Sequence, residues 1–351
     1  MILDKVHFYT GQIIDNYIYA SQSFYNGLIR VDLTTNLAEF IGTFPDEKAM
    51  SPVLHRFSYL YGKKIFFIPC DANNVSVFDE QNGTIELIPI SKYCKDNDNK
   101  KCFFVNKNKL WLVPVSGIGS IQIINMDNND VEVCEIEDTP FYSVNIVKIC
   151  QDDIFVYFTN CGSGTVFRYN IENENVDEFK TAVTNIFNVS YCRNQIWIMK
   201  QVNESIGCIC NEEEHSYMIH GDSKHNLLVN TVNYKNGVYI IPYLLEPFIK
   251  KETSNDYCEE LDISSLGINK FYDYPGAFSY DLIETEKKWI LPPYNIDKMI
   301  TIDKETGIIE AKELAFDKPV ELSNLSIRNA FMDNMIMEGL PLDLKTFCEI
   351  I

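Results

Sequence analysis

The 351-residue sequence predicts an all-β fold: a seven-bladed β-propeller of four-stranded antiparallel blades over residues 1–320, followed by a short helical C-terminal tail over 321–351. Three observations carry this expectation. A grammar of short strands and tight turns recurs seven times, an aromatic residue occupies one place in every copy, and an Asp or Asn turn opener occupies a second place in six.

The copies follow one another along the chain. The first is DNYIYASQSFYNGLIRVDLTTNLAEF (15–40), and the second begins GKKIFFIPCDANNVSVFDEQNGTIELIPI (62–90). NKLWLVPVSGIGSIQIINMDNNDVEV (108–133) and DDIFVYFTNCGSGTVFRYNIENENVDEF (152–179) repeat the pattern. RNQIWIMKQVNESIGCICNEEEHSYMI (193–219) and NGVYIIPYLLEPFIKKE (236–252) are fainter, and EKKWILPPYNIDKMITIDKETGIIE (286–310) closes the series. Each has a turn, an apolar strand often ending at Pro, a polar loop and a second strand. Three residues before that Pro or its equivalent stand Tyr17, Phe66, Trp111, Phe155, Trp197, Tyr239 and Trp289, which include every Trp in the chain. At a 13% aromatic frequency, coincidence at seven positions is negligible, and the spacing of 42 to 50 residues suits one propeller blade.

The following strand ends at Asp32, Asp79, Asn125, Asn170, Asn211 and Asp303, with Asn36, Gly83, Asn129, Glu174, His215 and Gly307 four residues later. Asp and Asn open turns by bonding their own backbone, and Gly or Asn tolerates the left-handed residue that ends them. The sixth copy lacks this pair and is the longest, which predicts an insertion within residues 243–275. Short apolar segments before each copy, among them Val6 to Phe8, Phe57–Tyr61, Val144–Lys148 and Phe278–Leu282, are expected to be the innermost, channel-lining strands. An open solenoid of seven units is the alternative to a closed ring, which alone hides its sheet edges. In the tail, Leu325, Phe331, Met332, Met335 and Ile336 precede Gly339, and Leu344, Phe347 and Ile351 follow Pro341, a pattern of two short amphipathic helices. They are expected to clasp the seam between first and last blades, or else to dock a partner.

Hydrophobic content of 46% supplies a large core. A formal net charge of −20, relieved only by pairs such as Lys100 with Lys101, argues against nucleic acid and anionic membrane surfaces as partners. No apolar run approaches the roughly 18 residues of a membrane span, and the N-terminal residues do not read as a signal peptide. Eleven cysteines without a repeating framework predict reduced thiols and a cytoplasmic location. Cys208 and Cys210 are the one close pair, read as packing rather than metal ligation.

The succession of apolar strand, Pro, polar loop and strand-Asp-x-x-x-Gly resembles the broad propeller superfamily of kelch, quinoprotein-like and streptogramin-lyase-like repeats, over roughly residues 5–314. Thr301 to Ile309 is the fragment most similar to the streptogramin-lyase class, whereas the Gly-His and Trp-Asp pairs of WD40 blades and the Gly-Gly doublet of kelch are missing. The resemblance implies the architecture but no single function, because propellers bind, hydrolyse, eliminate and oxidise alike.

The chemistry legible in the chain is sparse. His215, His220 and His225, with Glu212, Glu213, Glu214 and Asp222, have an H-x4-H-x4-H spacing that spreads them about 17 Å apart per step in extended chain, which favours a solvated edge over a metal site. His55 and Arg56 precede an innermost strand and point to the channel mouth, where an ordinary hydrogen-bonding role competes with a functional one. Gly117 with Gly119, and Gly162 with Gly164, read as turns rather than phosphate cradles. The aromatic column is assigned to packing between blades. Loops after it hold Phe24, Tyr25, Asn73, Asn74, Tyr243, Tyr294 and Asn295, a Tyr and Asn composition suited to peptide or glycan recognition.

The leading expectation is therefore a non-catalytic binding or scaffolding propeller, presenting one loop face to a protein or peptide, with a basic partner favoured by the acidic chain. Its binding residues are Phe24, Tyr25, His55, Arg56, Asn74, His225, Tyr243 and Tyr294, with no catalytic residue, metal or cofactor. The alternatives are a channel-mouth lyase or hydrolase using His55, Arg56 or His225, with the metal, His and Glu that the resemblance to streptogramin lyases implies, and a glycan-binding propeller.

Overall fold

The structure is a computed structural model that describes residues 5–47, 53–90, 100–200, 202–203, 205–220, 225–271 and 276–318. Strands alternate β-branched and aromatic residues with polar ones, the pattern that suits a pleated, half-buried surface. They form a β-propeller of small antiparallel sheets. The first sheet orders Phe8–Ile14, Tyr17–Gln22, Leu28–Asp32 and Leu37–Gly42 from inside to outside, with Ala315–Phe316 added at its outer edge. The second holds His55–Tyr61, Lys64–Pro69, Val75–Asp79 and Thr84–Ile88; the third, Lys101–Asn106, Lys109–Pro114, Ser120–Asn125 and Val131–Glu135. The fourth holds Cys150–Gln151, Phe155–Thr159, Thr165–Asn170 and Val176–Lys180, and the last holds Ile283–Glu284, Lys288–Leu291, Lys298–Asp303 and Ile309–Glu313.

Seven separate blades are not what the chain makes. Residues 186–261 form one eight-stranded sheet in which two meanders meet at their outer edges. Ile219 and His220 pair in parallel with Cys258 and Glu259, so two outer edges that would have faced solvent complete each other. Lys251 strengthens the join: its ammonium lies 4.4 Å over the Tyr217 ring and donates to the carbonyl of Glu252 at 2.8 Å. Among the described residues there are thus five separate sheets of four or five strands, and one of eight. Val202–Asn203 and His225–Asn226 make a further two-stranded ladder beside it.

The aromatic column is real, but its register needs correction. Phe66, Trp111 and Tyr239 each sit two residues past the position that pairs with the last residue of the next strand, and Trp197 sits two past Gln195, which closes the inner hairpin with Cys192. Tyr17 and Phe155 instead pair directly with Asp32 and Asn170, so their true equivalents are Tyr19 and Tyr157. In the last sheet Lys288 pairs with Asp303, which makes Ile290 and not Trp289 the equivalent. All but one of these side chains are buried, while Trp111 and Trp289 are half-buried. The alternation of a strand puts neighbours on opposite faces, and adjacent aromatics in Tyr17-Ile-Tyr19 and Phe155-Val-Tyr157 made a two-residue slip invisible in the sequence.

The turn column fares better. Asn36, Gly83, Asn129, Glu174 and Gly307 have φ between 59° and 74° and donate their amides to the carbonyls of Asp32, Asp79, Asn125, Asn170 and Asp303 at 2.8–3.0 Å. His215 does not belong to the series. Asn211 and Glu212 take φ of 50° and 68° and close a two-residue hairpin, leaving His215 within a strand opposite Cys208. The sixth copy's extra length lies after Leu261, where a 3-10 turn at Ser264–Leu266 leads back towards the last sheet and Lys270 bridges Ile296. Val144–Lys148 and Phe278–Leu282 are irregular lead-ins; the innermost strands they precede begin at Cys150 and Ile283.

Closure is visible in side chains. Val6, Phe8, Ile18 and Ile29 of the first sheet pack with Ile283, Ile290 and Met299 of the last, which an open solenoid would leave apart. The Phe8 amide donates to the Pro293 carbonyl at 3.2 Å, and Ala315–Phe316 pairs in parallel with Leu37–Ala38 across the same seam. The expected helices of the tail lie outside the described residues. Among the described residues no helix is long and apolar enough to cross a membrane.

Candidate functional site at the channel mouth

Successive innermost strands are joined around the axis by polar side chains. The hydroxyls of Thr10 and Ser58 share a hydrogen bond at 2.6 Å, and the Val105 amide donates to Gln151 Oε1 at 2.8 Å. Ser190 and Thr231 share a hydrogen bond at 2.8 Å, Asn188 donates to the Val229 carbonyl at 3.2 Å, and Asn230 donates to the Ser279 carbonyl at 3.2 Å. Ser279 Oγ in turn donates to the Tyr9 carbonyl at 2.5 Å. Innermost strands of a ring converge, so small hydroxyls and amides fit there and satisfy one another.

Above these joints stand the charges. Arg56 is half-buried, its guanidinium 4.5 Å over the Tyr280 ring and 5.4 Å over the Phe57 ring. Among the described residues no carboxylate or carbonyl accepts a hydrogen bond from it. Lys148, also half-buried, donates to Asn230 Oδ1. Burial lowers the Lys148 ammonium below the usual lysine range. Asp281 accepts from the Thr10 hydroxyl, and burial pushes its carboxyl up to about 7, against the pull of Thr10 and Lys148. The Cys102 thiol is pushed up to about 11 by burial, with Arg56 acting in the opposite direction. The mouth therefore carries two cations against one carboxylate of reduced charge.

Aromatic rings frame this cluster. Tyr243 lies 5.5 Å from Tyr280, with Phe187 6.4 Å away on the same ring. Tyr9 meets Tyr294 edge-on at 4.8 Å, and Tyr294 stacks on Phe24 at 5.6 Å with planes 8° apart. Gly276 makes the Tyr243 position possible, because a Cβ there would come within 2.4 Å of the Tyr243 ring.

The eight residues singled out from sequence divide clearly. Arg56, Phe24 and Tyr243 are half-buried members of the mouth, and Tyr294 underlies Phe24 with 1% exposure. Tyr25 is fully packed, its hydroxyl accepting from Gln22 Nε2 at 2.9 Å. His55 is 1% exposed, its Nδ1 shares a hydrogen bond with Ser21 Oγ at 2.9 Å, and its ring lies 4.4 Å from Phe44. Burial pushes the His55 imidazole down to about 3, so it stays neutral in the core and faces away from the mouth chemistry. Asn74 is half-buried in a loop whose Asn73 and Asn74 amides both donate to the Glu47 carboxylate, at 2.8 and 3.1 Å. His225 pairs with Asn203 in the two-stranded ladder. His215 is exposed on its strand and His220 stacks on Tyr257 at 4.5 Å, each in a separate contact. Among the described residues no three His, Cys, Asp or Glu side chains converge as a metal site would require. Gly117, Gly119 and Gly162 have φ of 67°, 104° and 86°, as turns require.

The sequence reading missed Tyr9, Lys148, Asn230, Tyr280 and Asp281. Lys148, Tyr280 and Asp281 stood inside segments already read as innermost, so their convergence followed from the ring. What hid them was the assumption that channel-lining residues are apolar.

No family model matches the chain, and no curated protein matches it by sequence. Solved structures do. A streptogramin B lyase aligns with TM-score 0.62 and 12% identity, over 88% of this chain and 94% of that one. A catalytically inactive virginiamycin B lyase from Staphylococcus aureus with quinupristin aligns with TM-score 0.62 and 14% identity, over 84% and 94%. The extracellular domain of a one-component system from B. thetaiotaomicron aligns with TM-score 0.60 and 13% identity over 90% of this chain and 42% of that one. At such identities the likeness extends to the architecture, and the chain is a β-propeller similar to the streptogramin B lyases in fold.

Proposed function

We propose that this protein is a non-catalytic binding propeller that takes a peptide segment of a protein partner at the channel mouth and the loops around it. The observation that carries the reading is Arg56, held by stacking on Tyr280 and Phe57 with its hydrogen-bonding edge uncommitted among the described residues, while half-buried Tyr243 packs on the same Tyr280 ring and half-buried Phe24 joins the cluster through Tyr294 and Tyr9. Aromatic and Arg side chains in partly desolvated positions are the anchors that dominate protein recognition. His55, kept neutral and packed against Phe44, is unsuited to the general acid or base role that a lyase or hydrolase reading would give it. We place the protein in the cytoplasm, a reading supported by nine described cysteines that are all free of disulfides.

The test is affinity capture from the native cell with the wild type and two paired variants. Phe24→Ala with Tyr243→Ala should lose the captured partner, and Asn128→Ala with Glu305→Ala, on turns at the opposite rim, should retain it. Loss with the second pair alone would move the site to the other face.

A further inference from the structure

Five groups from five different parts of the chain meet at the mouth, and together they describe a ligand. Arg56 comes from the second sheet, Lys148 from the lead-in to the fourth, and Tyr280 from the lead-in to the last. Asn230, from the eight-stranded sheet, orients the Lys148 ammonium, and Tyr9 lies beneath Tyr280, its hydroxyl accepting from the Tyr280 amide at 3.4 Å. The guanidinium plane is fixed by the two rings it covers, leaving its N–H fork without a described acceptor. Lys148 is tied to the same place, because the Asn230 that it bonds donates in turn to the carbonyl of Ser279, the residue before the Tyr280 that Arg56 covers. Two cations in a partly dry channel cost free energy unless anions offset them, and the one carboxyl beside them, Asp281, is held by Thr10 and carries reduced charge.

The geometry points to an oxyanion site between Arg56 and Lys148, taking a carboxylate or phosphate group that the bound peptide carries into the mouth. This deepens the binding reading above and rests on it. It also reverses the expectation of a basic partner: the chain as a whole is strongly acidic, with a formal net charge of −20, but the mouth is locally cationic. An Arg fork matches the two oxygens of a carboxylate or phosphate, and a lysine beside it adds a point charge. The ring of Tyr280 behind the guanidinium keeps that fork from turning away.

The probes are succinate and inorganic phosphate, titrated into the full chain at constant ionic strength against chloride, with melting temperature and calorimetric binding as readouts. The site predicts saturable binding of at least one of them and a rise in melting temperature of about 1–3 °C at tenfold excess over the dissociation constant. Arg56→Gln and Lys148→Met should each weaken that binding about tenfold or more, as the loss of one charge-assisted hydrogen bond does. Arg56→Lys should restore part of it, and Arg168→Gln, on the third strand of the fourth sheet, should change nothing. Preference for succinate assigns a carboxylate, and preference for phosphate assigns a phosphorylated side chain. If neither anion binds beyond chloride, or if both channel variants bind as the wild type does, the site is wrong. Partner capture that survives Arg56→Gln would sink this inference alone, whereas anion binding without any partner dependent on Phe24 and Tyr243 would sink the peptide reading and keep the site.

Discussion

The hydroxyl of Thr10, near the start of the first innermost strand, donates to the carboxylate of Asp281, 271 residues later along the chain. That one contact ties the first sheet to the last and puts a titratable group at the seam of the ring.

The Asp281 contact has a pH signature. Its carboxyl is held at about 7 in the folded protein against an ordinary value of 3.8. Between these values the native state keeps a proton that the unfolded chain has released, so this group's contribution to stability falls as pH rises from about 4 to 7. Asp281→Asn removes the effect. The unfolding free energy of wild type minus variant should decline across that window and be flat on either side; a difference constant with pH would show that Asp281 is charged throughout.

His55 predicts the opposite slope. Its folded value of about 3 lies below the ordinary 6.5 because the ring is buried, so the unfolded chain binds the extra proton. Its contribution to stability therefore rises as pH increases from about 3 to 6.5. His55→Gln should melt less steeply with acid than the wild type over that range, measured by circular dichroism. Equal acid midpoints would mean that the imidazole protonates in place.

The tryptophans separate by burial. Trp197 is 1% exposed, and its truncation to Ala should cost about 3–5 kcal/mol in urea unfolding, as for other large core aromatics. Trp289 is half-buried, with its indole N–H donating to the Asn233 carbonyl at 2.8 Å and the Lys304 ammonium 4.4 Å over its ring. Iodide should quench the Trp111 and Trp289 emission more strongly than that of Trp197, compared in single-tryptophan variants. Equal quenching of all three would contradict the corrected register.

Glu174 occupies a turn position with φ of 61°, where its counterparts are Asn or Gly. An L side chain pays a steric cost in that conformation that glycine avoids. Glu174→Gly should raise stability by about 0.5–1 kcal/mol and Gly83→Glu should lower it by a similar or larger amount. A stabilising Gly83→Glu would show that the turn is not held in the left-handed form.

The turns were the most legible part of the sequence, because Asp32, Asp79 and Asp303 specify their geometry within five residues and need no partner from elsewhere. Strand register was less legible. Tyr17 and Tyr19 differ only in which face they present, and the deciding contact belongs to a neighbouring sheet. The fusion of two meanders through Ile219 and Cys258 could not be read from either segment alone, since an outer edge looks the same whether water or another strand covers it. The site was half legible. Arg56 and Tyr243 stood out by position, but Tyr294 and His55, equally conspicuous in the chain, turned inward, and Lys148 and Asp281 acquired meaning only when the ring brought them together.

Recognition at one rim is tested most directly by hydrogen–deuterium exchange of the complex with the partner captured from native cells. Binding should slow exchange at residues 23–27, 55–58, 243–247 and 292–295, around Phe24, Arg56, Tyr243 and Tyr294. The turns at 125–129 and 303–307, around Asn128 and Glu305, should exchange as in the free protein. Protection confined to those opposite turns, with the first set unchanged, would contradict the channel-mouth site.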